Sequence, residues 1–467
     1  MTRKRFDENM KIDREYVLSL IEGAKETTKE EIDRILEKAK NKKGLEHSEV
    51  AALLEIEDKE QVKKLFEIAG QVKKDVYGNR IVLFAPLYIS DYCVNNCVYC
   101  GYKCKNKFVR RRLTMDEIRK EVEILEKMGH KRLALEAGED PVNCPIEYVL
   151  ESIKTIYDTY EKNGAIRRIN VNIAATTVEN YKKLKEAQIG TYILFQESYD
   201  EEVYKKMHPN CLKGNYDYHT TAFDRAMEGG IDDVGAGVLF GLADPKFEVL
   251  SLMMHNQHLE KKFGVGFHTI SVPRLRPAEG VTLENFPHLV DDDMFKKIVA
   301  IIRLAVPYTG MILSTREDEE MRKELLEYGI SQVSAGSCTG VGGYEEAMNG
   351  KNVDQFEKAD ERTPIEVIED LIDHNYIPSY CTACYRTGRT GEKFMNIAKS
   401  EKIHYMCKPN ALTTLMEYAI DYGDERFLKK AEKFVREQAS TIDRADIKKF
   451  ILANIDKLKN GERDLYI

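Results

Sequence analysis

Residues 81–100 read IVLFAPLYISDYCVNNCVYC, an apolar, β-branched run that ends in three cysteines, Cys93, Cys97 and Cys100, spread over eight positions. Its texture repeats downstream in KRLALEAG (131–138), IRRINVNIA (166–174), GTYILFQE (190–197), IDDVGAGVLFGL (231–242), FHTISVPRL (267–275), GMILST (310–315) and SQVSAGS (331–337). Amphipathic stretches stand between these runs, among them DEIRKEVEILEKMG (116–129), IEYVLESIKTIYDTY (146–160) and DYHTTAFDRAMEGG (217–230). Eight strand-like runs, seven of them followed by a helix, are what a (β/α)8 barrel or a closely related parallel sheet requires. The expected fold is α/β, a TIM-type (β/α)8 barrel over residues 81–340. Residues 1–80 read as a helical N-terminal extension, with helical spacing in REYVLSLIEGAK (14–25), EEIDRILEKAK (30–40) and KEQVKKLFEIAGQVKKDVYG (59–78). Residues 341–467 open with a charged, glycine-containing stretch and continue from Pro364 as a mostly helical C-terminal region.

The chain has 467 residues, 43% hydrophobic and 32% charged, enough to bury a large core. Its 71 basic and 79 acidic residues are mixed along the sequence, so no basic face points to nucleic acid. The segment MTRKRFDENM lacks the apolar core of a secretory signal, and no run approaches the roughly 18 apolar residues of a membrane span. A cytoplasmic protein without nucleic-acid or membrane partners is expected. In that compartment ten cysteines are not expected to pair as disulfides, which turns clustered ones toward metal or redox work.

Cys93, Cys97 and Cys100 follow the first strand, in a loop at the mouth where parallel barrels keep their active sites. A structural zinc normally has four protein ligands, whereas three clustered thiolates fit a [4Fe–4S] cluster with one iron left open. Completion of a zinc site by Cys104 or a distant histidine is the plainer alternative. A second triad lies in SYCTACYRTGRTGEKFMNIAKSEKIHYMCKPN (379–410), where Cys381, Cys384 and Cys407 form a CX2CX22C pattern. His404, three residues before Cys407, leaves a Cys3His zinc site open there. Asn170, Asn172, Gln196 and Glu197 are polar residues at strand ends that either contact a ligand or cap helices and fill the barrel. Cys104, Cys144, Cys211 and Cys338 are isolated and read as small buried hydrophobes.

The CX3CXΦC loop formed by Cys93, Cys97, Tyr99 and Cys100 resembles that of the radical SAM superfamily. The resemblance implies a radical SAM barrel whose [4Fe–4S] cluster binds S-adenosylmethionine (SAM) and cleaves it reductively to a 5′-deoxyadenosyl radical. Ala137, Gly138, Glu139 and Asp140 stand where the superfamily has a GGE segment that contacts the SAM amino group; the first glycine is alanine here. Tyr99 and Asn172 are further candidates on the cofactor.

With the C-terminal triad included, the chain is similar to the HydG family of tyrosine lyases, through stretches such as NRIVLFAPLYISDYCVNNCVYCGY (79–102), HTISVPRLRPAEG (268–280) and PSYCTACYRTGRTG (378–391). That likeness implies cleavage of L-tyrosine at Cα–Cβ to p-cresol and dehydroglycine. The fragment then gives CO and cyanide, delivered as an Fe(CO)2(CN) synthon for the [FeFe]-hydrogenase H-cluster. It implies an auxiliary [4Fe–5S]-type cluster on Cys381, Cys384 and Cys407, with free cysteine and a fifth, dangler iron on His268. His268 opens the sixth strand; His255 and His258, on the preceding helix, are weaker candidates. Partners would include an electron donor such as ferredoxin or flavodoxin and the other hydrogenase maturases. Arg316, with Ser314 beside it and Thr315 between them, is the candidate for the tyrosine carboxylate, against a surface salt bridge with Glu317 or Asp318. Arg274 and Arg276 are further anion-binding candidates. The two sites should lie at opposite mouths, separated by roughly 20 Å if the strands have five or six residues. Two alternatives remain: a 2-iminoacetate synthase-like tyrosine lyase of thiamine thiazole synthesis, which lacks the second triad, and a non-catalytic iron–sulfur or zinc scaffold.

Overall fold

The structure, a computed structural model, describes residues 10–351, 354–400 and 403–467, so the N-terminal residues 1–9 read above lie outside the described residues. Eight parallel strands follow one another around a closed barrel: β1 (Arg80–Ser90), β2 (Arg132–Ala137), β3 (Arg168–Asn172), β4 (Tyr192–Glu197), β5 (Val234–Val238), β6 (Thr269–Ser271), β7 (Gly310–Leu313) and β8 (Gln332–Ser334). β8 pairs with β1 and β1 pairs with β2, which closes the ring. Strands of this kind are covered on both faces, which is why they read as continuous apolar runs rather than as an alternation. The VGAGV sequence of β5 has a steric cause. A Cβ on Gly235 would stand 2.4 Å from Thr269 Oγ1, and one on Gly237 would stand 2.4 Å from the Phe195 ring.

Each strand leads into helix through local signals. After the first cysteine loop, Thr114 and Glu117 form a reciprocal capping box that starts the helix Met115–Lys127. Asp318 accepts from Met321 N at the start of Glu319–Tyr328. The stretch 217–230 is not one helix: Thr221 separates Tyr216–Thr220 from Ala222–Glu228, and a further helix, Glu201–Met207, precedes them. The N-terminal region contains the three helices read from the sequence, Arg14–Ala24, Lys29–Ala39 and Lys59–Tyr77, plus His47–Leu54. One hydrophobic core runs without interruption from Val17 through the barrel to Leu458. No helix among the described residues is long and apolar enough to cross a membrane.

β1 has eleven residues and outreaches its neighbour β2, which has six. β2 pairs only with the stretch from Ala85 to Ser90. A ninth strand, β9 (Ile377–Ser379), pairs in parallel with Arg80, Ile81 and Val82. Val82 is matched to Gln332 of β8 and to Ser379 of β9, so these two flank it and β9 fills the space beneath β2. The central Pro378 lacks a donor and suits an edge strand. β1 is about twice the assumed length, its ten residue steps spanning about 33 Å if fully extended, whereas β2 and β3 have six and five residues.

Candidate functional site

At the carboxyl ends of the strands a cavity of about 300 Å³ is lined by Cys93, Cys97 and Cys100. Their loop is tied down by Asn95, which sits between them. Its Nδ2 donates to Glu139 Oε2 at 2.5 Å, its Oδ1 accepts from Lys213 N at 2.9 Å, and its carbonyl accepts from Cys104 N at 2.7 Å. Val94 N donates to Glu139 O at 2.8 Å. The loop therefore packs directly on the segment after β2, and a Cβ on Gly138 would stand 2.4 Å from Tyr92 O. That contact gives Gly138 a requirement independent of any ligand. Burial raises the Cys93 and Cys100 thiol pKa values, so ionisation there calls for a compensating positive group.

The remaining candidates at this mouth fall into two sets. Ala137, Gly138, Glu139, Asn172, Ser314, Thr315 and Arg316 all line the cavity, as does Tyr99, whose hydroxyl is hydrogen-bonded to His208 Nε2 at 2.7 Å. Arg316 lies over the Phe356 ring at 3.5 Å and forms no ion pair among the described residues. Its proposed surface salt bridge is not formed. Glu317 is held by Arg274 and Arg276, and Asp318 caps the next helix. Arg274 also binds Asp292 at 2.7 Å and does not line the cavity, so it is not free for an anion; Arg276 does line it. Asn172 Nδ2 donates to Glu136 Oε2 at 2.6 Å, and burial pushes the Glu136 carboxyl up to about 8. Asn170 and Glu197 reach the cavity, with Glu197 bound to Lys213 Nζ at 2.7 Å; Gln196 instead donates to Thr220 Oγ1 at 2.9 Å. The sequence reading missed Glu136, Asn95 and Lys213. Alternation along β2 turns Glu136 inward, the available signal for the first of them.

Cys381, Cys384 and Cys407 line a second cavity at the opposite mouth, together with His268. β9 delivers Cys381, whose carbonyl accepts from Arg132 at 3.0 Å. Cys384 lies on the short helix Ala383–Arg386, and Cys407 on Ile403–Tyr422. His268 Nε2 is 3.1 Å from Tyr385 Oη, and burial lowers the pKa of its ring, which keeps the imidazole neutral with a lone pair to offer. Arg80, Arg132 and Arg389 line the same cavity, and each has a buried Nε without a partner. Burial works to lower the Arg80 pKa, and negative charge on the neighbouring Cys407 and Cys381 sulfurs in their thiolate form more than offsets it. Three thiols, a neutral imidazole and three under-used guanidiniums match an anionic thiolate-bound cluster. No three His, Cys, Asp or Glu side chains among the described residues close around one ion-sized point.

Other sequence expectations are corrected here. His404 faces away from the thiol cavity, its Nε2 2.6 Å from Asp75 O, so it does not complete a Cys3His set. His255 is buried against Tyr199 Oη at 2.8 Å and His258 against Asp224 at 2.9 Å; both stabilise the barrel wall. Of the isolated cysteines, Cys144 and Cys338 are half-buried and pack against the core as small hydrophobes, whereas Cys211 is half-buried outside it and Cys104 is exposed.

The model of the radical SAM superfamily matches residues 87–250, and that of the biotin and thiamin synthesis associated domain matches 271–377. The 2-iminoacetate synthase of Salmonella typhimurium is 28% identical over 337 residues, 72% of this chain and 87% of that one. The solved HydG from Carboxydothermus hydrogenoformans is 40% identical with a TM-score of 0.83, covering 94% of this chain and 97% of that one. Another solved HydG, a maturase of the [FeFe]-hydrogenase, is 57% identical with a TM-score of 0.95 over 98% of this chain and 99% of that one. By that agreement across almost its whole length, the chain belongs to the HydG family within the radical SAM superfamily.

Proposed function

We propose that this chain cleaves L-tyrosine at Cα–Cβ to p-cresol and dehydroglycine, and converts the glycine fragment to CO and cyanide for [FeFe]-hydrogenase H-cluster assembly. One observation carries the reading: two three-cysteine cavities at opposite mouths of one barrel, the second with a neutral histidine, in a chain that matches HydG across both.

Cys93, Cys97 and Cys100 would hold a [4Fe–4S] cluster, and Gly138 and Glu139 would border SAM. When bound, the cluster and SAM would supply a 5′-deoxyadenosyl radical after one-electron reduction. The chain's own part is to bind and to shield. Arg316, flat on Phe356 and unpaired, offers a fork for the tyrosine carboxylate, with the Ser314 hydroxyl as a neutral donor. Glu136 stays neutral below about pH 8, so it places no negative charge beside that carboxylate. The barrel wall keeps bulk water from dehydroglycine, which otherwise hydrolyses. Gln332 lines both cavities and so stands between the two ends. At the lower mouth Cys381, Cys384 and Cys407 would hold the auxiliary cluster, and His268 the iron that is carried away as product, with free cysteine. A low-potential donor such as ferredoxin or flavodoxin would supply electrons, and other maturases would receive the synthon.

Product analysis after anaerobic reconstitution tests the reading. Formation of p-cresol with CO and cyanide is expected; p-cresol with glyoxylate alone would return the chain to the 2-iminoacetate synthase type. No SAM cleavage, with zinc in both sites, would leave a non-catalytic scaffold.

A further inference from the structure

A third cavity, of about 250 Å³, adjoins the lower cysteine site and shares Tyr77, Arg80 and Cys407 with it. It lies between the end of helix Lys59–Tyr77, the start of β9 and helix Ile403–Tyr422, and it reaches the surface at the exposed Lys74. Its charge is one-sided. Lys74 and Lys408 stand on its wall and Arg80 at its inner end, while no acidic side chain is among its lining residues. Lys408 Nζ donates to Thr441 Oγ1 at 3.0 Å and has no carboxylate partner among the described residues. Arg80 has a buried, unpartnered Nε and no ion pair among the described residues. Gly78, at φ +63°, turns the chain here and leaves the His404 ring 3.5 Å from where a Cβ would stand, which keeps the wall thin.

A passage whose charged lining residues are all cations, ending at a guanidinium beside a thiol cluster, selects for a small molecule that carries a carboxylate. We propose that this cavity is the entrance through which a free thiol amino acid reaches the site of Cys381, Cys384 and Cys407, separate from the upper mouth that admits tyrosine and SAM. The inference rests on the reading of these three cysteines as an auxiliary cluster site. Lys74 and Lys408 draw the carboxylate in, and Arg80 receives it at the inner end with the thiol directed toward the cluster.

The test uses full-length reconstituted protein and two probes, L-cysteine and L-cysteine methyl ester, titrated while the electron paramagnetic resonance signal of the auxiliary cluster is followed. Lys74→Glu combined with Lys408→Glu should weaken L-cysteine about tenfold at low salt, within the range for focusing by a charged cleft. The difference should shrink at high salt. The methyl ester, a cation, should bind the charge-reversed protein as well as or better than the unaltered one. Arg80→Gln should remove the preference for L-cysteine over the ester. Equal losses for both probes, or no change for either, would overturn the proposal, as would an unaltered protein whose signal ignores L-cysteine. Melting temperatures report on folding of the variants. Absence of p-cresol from the unaltered protein would instead strike at the proposed function.

Discussion

Replacing Arg316 with Leu removes the one arginine fork lining the upper cavity that has no ion pair among the described residues, and the size of the loss can be reckoned. Arg316 makes no ion pair among the described residues, so its removal leaves no partner carboxylate stranded; Glu317 keeps Arg274 and Arg276. What disappears is a charge-assisted pair with the substrate carboxylate, worth about 1.5–3 kcal/mol. At about 1.4 kcal/mol per factor of ten, the tyrosine KM should rise roughly 10- to 150-fold. Arg316→Lys keeps the charge but loses the planar fork, and should fall between. The assay is the anaerobic initial rate of p-cresol formation against tyrosine concentration, with SAM binding measured separately and expected to persist. An unchanged tyrosine dependence in Arg316→Leu would refute the reasoning and move the carboxylate to Arg276, which also lines the cavity.

Alanine at Cys93, Cys97 or Cys100 should abolish 5′-deoxyadenosine formation; a product peak above background in any of the three would show that the thiol is not a ligand. Cys381→Ala with Cys384→Ala should leave p-cresol formation largely intact while the iron–carbonyl infrared bands vanish, and loss of p-cresol from a folded double variant would make the tail part of the tyrosine site. His268→Ala should give a milder form of that defect, seen as lowered iron content, because one lost imidazole weakens occupancy without unfolding the barrel. Glu136 should make stability depend on pH. Its folded pKa is about 8 against an ordinary 4.5, so its contribution is complete below about 4.5 and is lost as pH rises toward 8. The slope reaches about 1.4 kcal/mol per pH unit at most; Glu136→Gln should flatten denaturation midpoints across that window, and parallel curves for the two proteins would contradict the assignment.

The barrel was legible because its strands are short, largely apolar runs and most of the helices between them carry helical periodicity, several with a side-chain cap such as Thr114 or Asp318. β9 escaped because three residues, one of them Pro378, hold no period, and their pairing exists only because β1 overhangs β2. The helix His47–Leu54 escaped for another reason: its last five residues, Val50–Leu54, are all buried and show no helical alternation, and its N-cap is Glu46 rather than a short hydroxyl or amide residue. The six cysteines and His268 could be read from spacing and resemblance, and the structure gathers them into two cavities. Arg80, Arg132 and Arg389 come together from positions more than 300 residues apart in the extreme case, and no local pattern marks such a meeting. Arg274 failed as a free anion site because its partner, Glu317, lies 43 positions away.

The overhanging strand β1 also bears on how such a protein can be altered. Arg80 at one end of it touches the lower cavity, and Cys93 follows three residues beyond Ser90 at the other. One continuous strand thus joins the base of one chamber to the cysteine loop of the other. The C-terminal region is zipped onto the base of that strand by β9, so it cannot be treated as a cassette. Cutting the chain before Ile377 would bare Arg80–Val82 as an open strand edge, an invitation to self-association. Grafting the second triad onto a shorter-stranded relative would therefore require lengthening its first strand as well as adding the tail.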